Sequence, residues 1–222
     1  NKSKLEQMLR LLDYVDNLPM VQLIHDGVEA DDMIAIICRE LKGIQKIIIS
    51  SDKDFYQLLD DETIIYRPVQ AVYKTKNNIL EEFKIHPNNF ALARAVSGDK
   101  SDNLEGVPGA GLKTVAKRFP FLSEDRDYSI TDLVDCCEEV EKPLKVHTGI
   151  VENYDKILKN YKIMQLYVPN VSFQVRDLVK SAVENYPKYY NKTEVVKMMM
   201  IDGFPEIRWD DLFVHSNRIA AS

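Results

Sequence analysis

The chain has 222 residues, 45% apolar and 29% charged, which suits one large domain, or a domain with a helical extension, around a real hydrophobic core. No stretch reads as a signal peptide or a bilayer-spanning run, and Cys38, Cys136 and Cys137 lack metal-ligand spacing, so a reducing, cytoplasmic setting away from membranes is expected. A net charge of −6 excludes a simple, uniformly basic nucleic-acid-binding surface.

Residues 3–17 place Leu5, Met8, Leu9, Leu12 and Val15 at the spacing of an amphipathic helix, which Pro19 ends. Met20 to Ile24 is β-compatible and leads into a turn at His25-Asp26-Gly27. Ala30 to Leu41 reads as a helix stopped by Gly43. Lys46 to Ser50 reads as a central parallel strand covered by helices on both faces. A short helix at Phe55–Leu59, a strand at Thr63–Arg67 and a short edge strand within Gln70–Thr75 follow, and this rhythm predicts an α/β sandwich. After Pro87 the pattern is almost wholly helical, first through Ser97, then near residues 130–140, 152–166 and 192–200. His25, His86, His147 and His215 have no ligand spacing and read as ordinary surface or packed residues.

Residues 1–111 carry 13 basic and 18 acidic side chains, and seven of those acids fall in three short clusters. Glu29, Asp31 and Asp32 sit at a turn-to-helix junction, Asp52 and Asp54 just past the Ile47–Ile49 strand, and Asp99 and Asp102 at a helix end. Carboxylates at the C-terminal ends of parallel strands lie where α/β sheets bind ligands. Each cluster alone has a plainer reading as a helix cap, a solvated turn or loop acids. Together, at successive element ends, they suit hard divalent cations that take oxygen ligands and work in pairs on a phosphodiester.

Half of the eight glycines lie between Gly98 and Gly111. In the run Gly106-Val107-Pro108-Gly109-Ala110-Gly111-Leu112-Lys113-Thr114 the glycines allow close backbone approach to a phosphate, and a helix start with Lys113 and Thr114 follows. The pattern is that of a helix-hairpin-helix, whose contacts position nucleic acid without reading its sequence. A plain turn between helices is the alternative.

Gly27-Val-Glu-Ala-Asp-Asp32, Ser51-Asp-x-Asp54-Phe, Gly98-Asp-x-Ser-Asp-Asn103 and the Gly106–Thr114 run resemble, in order and spacing, the motifs of structure-specific 5′-nucleases. That family comprises flap endonucleases, 5′-3′ exonucleases, the nuclease domain of bacterial DNA polymerase I and phage ribonuclease H enzymes, and the resemblance covers about residues 20–120. It implies a PIN-like, flap-endonuclease-type α/β fold: nuclease core in residues 1–97, helix-hairpin-helix in 98–122, and a mainly helical region in 123–222. The implied activity is two-metal hydrolysis near 5′ ends of branched or nicked duplex DNA and RNA–DNA hybrids, in replication or repair, in the cytoplasm of the cell or of a phage host. Asp31 is then a ligand of a first Mg²⁺ with Glu29 and Asp32 nearby, Asp52 lies between two Mg²⁺ ions, and Asp54, Asp99 and Asp102 hold the second. Mn²⁺ is the expected substitute. Asp31, Asp52, Asp54, Asp99 and Asp102 form the catalytic set, while Gly106, Val107, Gly109, Gly111, Lys113 and Thr114 grip DNA with a K⁺ ion at the hairpin. Replication proteins are the implied partners.

The family's first strand with an early aspartate, its second Asp-Gly strand end and its helical arch have no match ahead of the first motif. The expectation is a truncated piece, or a split enzyme whose separate N-terminal fragment supplies that strand and two carboxylates, with weak cleavage by this chain alone. The other readings are a catalytically incompetent DNA-binding module and a PIN-like ribonuclease, the second disfavoured by the glycine-rich hairpin.

Overall fold

The computed structural model describes residues 2–167, 171–185, 191–204 and 208–221. Helix α1 (Lys2–Asp16) is followed by α2 (Ala30–Glu40), strand β1 (Lys46–Ile49) and a short helical turn at Asp54–Leu58. Strands β2 (Thr63–Arg67) and β3 (Val72–Lys74) precede α3 (Lys76–Phe83) and α4 (Phe90–Ser97). The two-residue strands β4 (Gly98–Asp99) and β5 (Leu104–Glu105) lead to α5 (Leu112–Arg118). Helices α6 (Ile130–Glu138), α7 (Lys145–Glu152), α8 (Tyr154–Met164), α9 (Phe173–Glu184), α10 (Lys192–Ile201) and α11 (Trp209–Ala221) complete the chain. Contacts divide it into two compact units, residues 29–170 and residues 1–28 with 171–222.

In the first unit β1 runs parallel to β2, Lys46 facing Thr63, and β3 closes the sheet antiparallel with Ile65 facing Lys74. The mixed α/β architecture is the one expected. The coverage of β1 is not. Ile48 is buried, whereas Ile47 is 50% and Ile49 70% exposed, so one face of the strand is bare. A run of isoleucines carries no polar mark to say which side of the pleat is covered. Lys46 is buried too, its ammonium donating to the Leu41 carbonyl at 2.8 Å and to Glu62 at 3.0 Å.

The core gathers on α4, whose Phe90, Ala91, Leu92, Ala93, Ala95 and Val96 are all buried. Phe90 meets Tyr56 and Phe83 edge to face, with ring centroids 5.4 and 5.3 Å apart. Helix α8 lies along α4, and buried Asn160 on α8 donates to the Ala95 carbonyl at 3.1 Å and the Glu105 carbonyl at 2.9 Å. One amide thereby ties α8 to the end of α4 and to β5.

Helix α3 is absent from the sequence expectation because its capping box closes on Asn78, where Glu or Gln is the usual mark. Asn78 N–H donates to Thr75 Oγ1, and Thr75 N–H donates to Asn78 Oδ1, a reciprocal cap. The helix expected near 152–166 is α8, which starts at Tyr154, and a break at Asn153 separates it from α7.

In the second unit Arg10 and Tyr14 of α1 both donate to Asp202, at 2.7 and 2.6 Å, after α10. Their hydrogen bonds hold the Asp202 carboxyl below its ordinary pKa. Met20 to Ile24, expected as a strand, has no ladder partner and stays irregular; β propensity alone does not make a strand. Among the described residues no helix is long and apolar enough to cross a membrane.

Candidate active site

Glu29 is the N-cap residue of α2, in extended backbone, yet its side chain makes no capping hydrogen bond. Its carboxylate is therefore not consumed by the helix. Asp31 and Asp32 project from the first helical turn and are half-buried. Past β1 the chain turns through local bonds: Asp52 N–H donates to Ser50 Oγ at 3.0 Å, and Asp54 N–H donates to Asp52 Oδ1 at 2.9 Å. This Asx-type turn fixes Asp52 and Asp54 just past the strand end.

The third acidic segment is a tight hairpin. Gly98 takes φ +75°, and Asn103 takes the left-handed φ of 55° that lets β5 return along β4. Asp99 Oδ1 accepts from Ser101 N–H at 2.7 Å and from the Ser101 hydroxyl.

Glu29, Asp31, Asp32, Asp52, Asp54 and Asp102 line one cleft of about 430 Å³, closed on another side by residues 162–166 at the end of α8. Asp99 lies off this cleft, in an adjoining one. Its carboxylate still comes with those of Asp54 and Asp102 so that single oxygens of all three lie within 4.8 Å of one another. Gln57, buried behind the cleft, holds the wall to the acidic turn: its amide donates to the carbonyls of Asp54 and Met164 at 2.8 and 2.9 Å and accepts from Leu166 N–H at 2.7 Å.

Burial pushes the Asp31 carboxyl above its ordinary range, and the charges of Asp52, Glu29, Asp32 and Asp102 add to the effect. Asp32 is raised by burial and by Glu29. Burial raises Asp54 despite the opposing charge of Arg94. Asp99 is lowered: burial opposes ionisation there, but the Ser101 hydroxyl and amide, then Arg94, outweigh it. A carboxylate-only donor set with unbalanced charge on Asp31 is what a hard divalent cation fits.

Arg94, not singled out from the sequence, connects two of the acidic segments. Its Nε and Nη2 donate to Asp54 Oδ1 at 3.1 and 2.8 Å, and Nη2 also donates to Asp99 Oδ2. The signal was present as an arginine inside the apolar run Phe90–Val96, five positions before Asp99.

The adjoining cleft, about 1250 Å³, is lined by Asp99, Gly106, Gly111, Lys113 and Thr114 together with Lys100 and Lys156. Val107 and Gly109 do not line it. Val107 is 3% exposed and its N–H donates to the Val96 carbonyl at 2.8 Å, so its side chain anchors the turn in the core. Gly109 takes φ +80°, with open space where a Cβ would lie.

A family model described as the 5′-3′ exonuclease, N-terminal resolvase-like domain matches residues 2–85. Thermostable DNA polymerase I of Thermus aquaticus is 37% identical over 113 residues, 50% of this chain and 14% of the relative. A 5′-3′ exonuclease of Buchnera aphidicola subsp. Schizaphis graminum is 31% identical over 160 residues, 67% of this chain and 53% of the relative. The chain thus spans about half, or much less, of the length of the curated relatives it matches. Among solved structures, the bacteriophage T5 flap endonuclease in a pseudo-enzyme-product complex with DNA and metal ions superposes with a TM-score of 0.59 at 23% identity. That superposition covers 73% of this chain and 61% of the phage protein, and it shows the shared fold. Over the residues matched, the chain is similar to 5′-3′ exonucleases and to the nuclease part of bacterial DNA polymerase I.

Proposed function

We infer that the protein is a structure-specific 5′-nuclease, a 5′-3′ exonuclease or flap endonuclease that hydrolyses phosphodiesters near the 5′ ends of branched or nicked duplex DNA and RNA–DNA hybrids. The observation that carries this reading is the convergence of carboxylates from three chain segments on one cleft, beside a second cleft lined by Lys100, Lys113 and Lys156. Six acids in one cleft repel each other unless cations join them, and the relief of that repulsion supports two Mg²⁺ ions, with Mn²⁺ as substitute. Asp31, with Glu29 and Asp32 beside it, would hold one ion, Asp54, Asp99 and Asp102 the other, and Asp52 would lie between them. Bound ions of this kind activate water and stabilise the oxygens of an in-line displacement.

The remaining residues bind and orient. Gly111 and the first turn of α5 offer backbone amides to a phosphate, Lys113 adds a charge and Thr114 a hydroxyl. Gly106, Val107 and Gly109 shape the turn that presents them, and this turn would hold a K⁺ ion that offsets the phosphate charge. These contacts carry no base information, which agrees with a substrate chosen by its branched shape. Such work in replication or repair would bring the protein beside other replication proteins.

The test is release of a labelled 5′ flap by the purified protein. Cleavage with Mg²⁺, none with EDTA and a loss of about a hundred-fold or more after Asp52→Asn are expected. Flap binding with no metal-dependent cleavage would overturn the reading.

A further inference from the structure

Every neighbour of Arg94 along Phe90–Val96 is buried, and the Arg94 side chain itself is only 13% exposed. A guanidinium so placed cannot shed its charge and requires anionic partners. It finds two, in different acidic segments: Asp54 through Oδ1 and Asp99 through Oδ2. The other oxygen of Asp99 already accepts from the amide and hydroxyl of Ser101. Both Asp99 oxygens are thus in use. Among the described residues, by contrast, no hydrogen bond reaches Asp54 Oδ2 or the carboxylate of Asp102.

We propose that Arg94 is a built-in counter-cation of this triad: it holds Asp54 and Asp99 together in the metal-free protein and competes with a divalent cation for the Asp99 carboxylate. The proposal rests on the metal reading given above. The guanidinium already draws on one lone pair of Asp99 Oδ2, so a metal ion on the same oxygen would share its charge with Arg94 and be held more weakly. Positive charges a few ångströms apart also repel within a half-buried site. An incoming ion can start on Asp54 Oδ2 and Asp102, which no hydrogen bond occupies among the described residues, and gains the full charge of Asp99 as Nη2 turns away. Arg94 then keeps the empty site from repelling itself apart and lowers the affinity of the second ion, so that occupancy of this position responds to cation concentration. Arg94 acts here as a positioning residue, through Asp54 and Asp99.

Mn²⁺ titration of wild-type protein, Arg94→Gln and Arg94→Lys, with melting curves in EDTA, tests this. Arg94→Gln should bind Mn²⁺ roughly ten-fold more tightly and melt lower in EDTA, the loss recovering when Mn²⁺ saturates. Arg94→Lys keeps the charge without the two-pronged reach, and should fall between. A purely structural arginine would lower stability with and without Mn²⁺ alike and leave affinity unchanged or weaker, which would overturn the proposal. Should Arg94→Gln not fold, crystals of the wild type soaked in Mn²⁺ decide the matter. Arg94 is expected to have left Asp99 wherever Mn²⁺ occupies the triad; Arg94 still bonded to both aspartates beside a bound ion would overturn it. Mn²⁺ bound with unchanged affinity in the variants would reject the competition alone. No Mn²⁺ binding in any of the three proteins would reject the metal reading and this inference together.

Discussion

Gly98 and Gly106 face each other so closely that a Cβ added to Gly98 would lie 2.3 Å from the Gly106 nitrogen. The approach is mutual, since a Cβ on Gly106 would lie 2.2 Å from the carbonyl carbon of Ser97. These are backbone contacts, so no side chain can move aside to relieve them. The acidic hairpin and the glycine-rich turn that follows it are packed backbone on backbone.

Gly98→Ala should therefore destabilise the protein by about 3 kcal/mol, combining overpacking with an unfavourable left-handed φ. Gly109→Ala, which meets open space and bears only the positive φ, should cost about 1 kcal/mol. Urea denaturation of both variants measures this, and equal losses would contradict the packing argument.

Cleavage and binding should separate in two variants. Asp52→Asn is expected to reduce cleavage by about a hundred-fold or more while DNA binding in EDTA holds or improves, because it removes negative charge from the cleft. Lys113→Ala should weaken binding and reduce the salt slope by about one. Filter binding across a salt series, beside flap cleavage, gives both numbers; parallel losses in the two variants would refute this division of labour.

Asp31 is raised by burial and by four neighbouring carboxylates, so its ionised form opposes folding of the metal-free protein. Asp31→Asn should accordingly raise the melting temperature in EDTA at neutral pH. With Mg²⁺ present the wild type should gain more than the variant, because it alone can use the charge. Differential scanning calorimetry with and without Mg²⁺ checks the crossover.

Asp60 provides the opposite sign. Burial disfavours its charge, but the Glu62 and Thr63 amides, donating at 2.9 and 2.6 Å, hold its carboxyl below the ordinary 3.8. A carboxyl lowered on folding adds stability above its unfolded pKa and loses it as pH falls through the folded one. Asp60→Asn should lower stability at neutral pH, with the gap closing below about pH 4. Urea midpoints from pH 7 to 3 test it, and a constant gap would refute it.

The acidic segments were legible in the sequence because each sits where a local element ends, and such ends are marked by turns and periodicity. Their gathering into one cleft follows the fold, and the parallel pairing of β1 with β2 was readable from two apolar runs. Arg94 was not, because an arginine in an apolar helix differs from a surface one only through partners far along the chain. Met20–Ile24 failed for a related reason: a strand is a relation to a neighbour, and pattern names no neighbour. Gly106 was readable as a glycine needed for close approach, but the sequence could not say that the approaching group is the protein's own backbone.

Asn160 carries its own consequence for motion. Its amide spans the Ala95 and Glu105 carbonyls, on either side of the segment that contains Asp99 and Asp102. The hairpin therefore cannot lift away locally while α8 stays in place, because a buried amide would be stripped of both acceptors. Backbone amides of β4, β5 and the facing turn of α8 should exchange with deuterium as one cooperative block, slower than the exposed Gly109 amide beside them. The hairpin and the α8 wall of the site would thus open and close as a single unit.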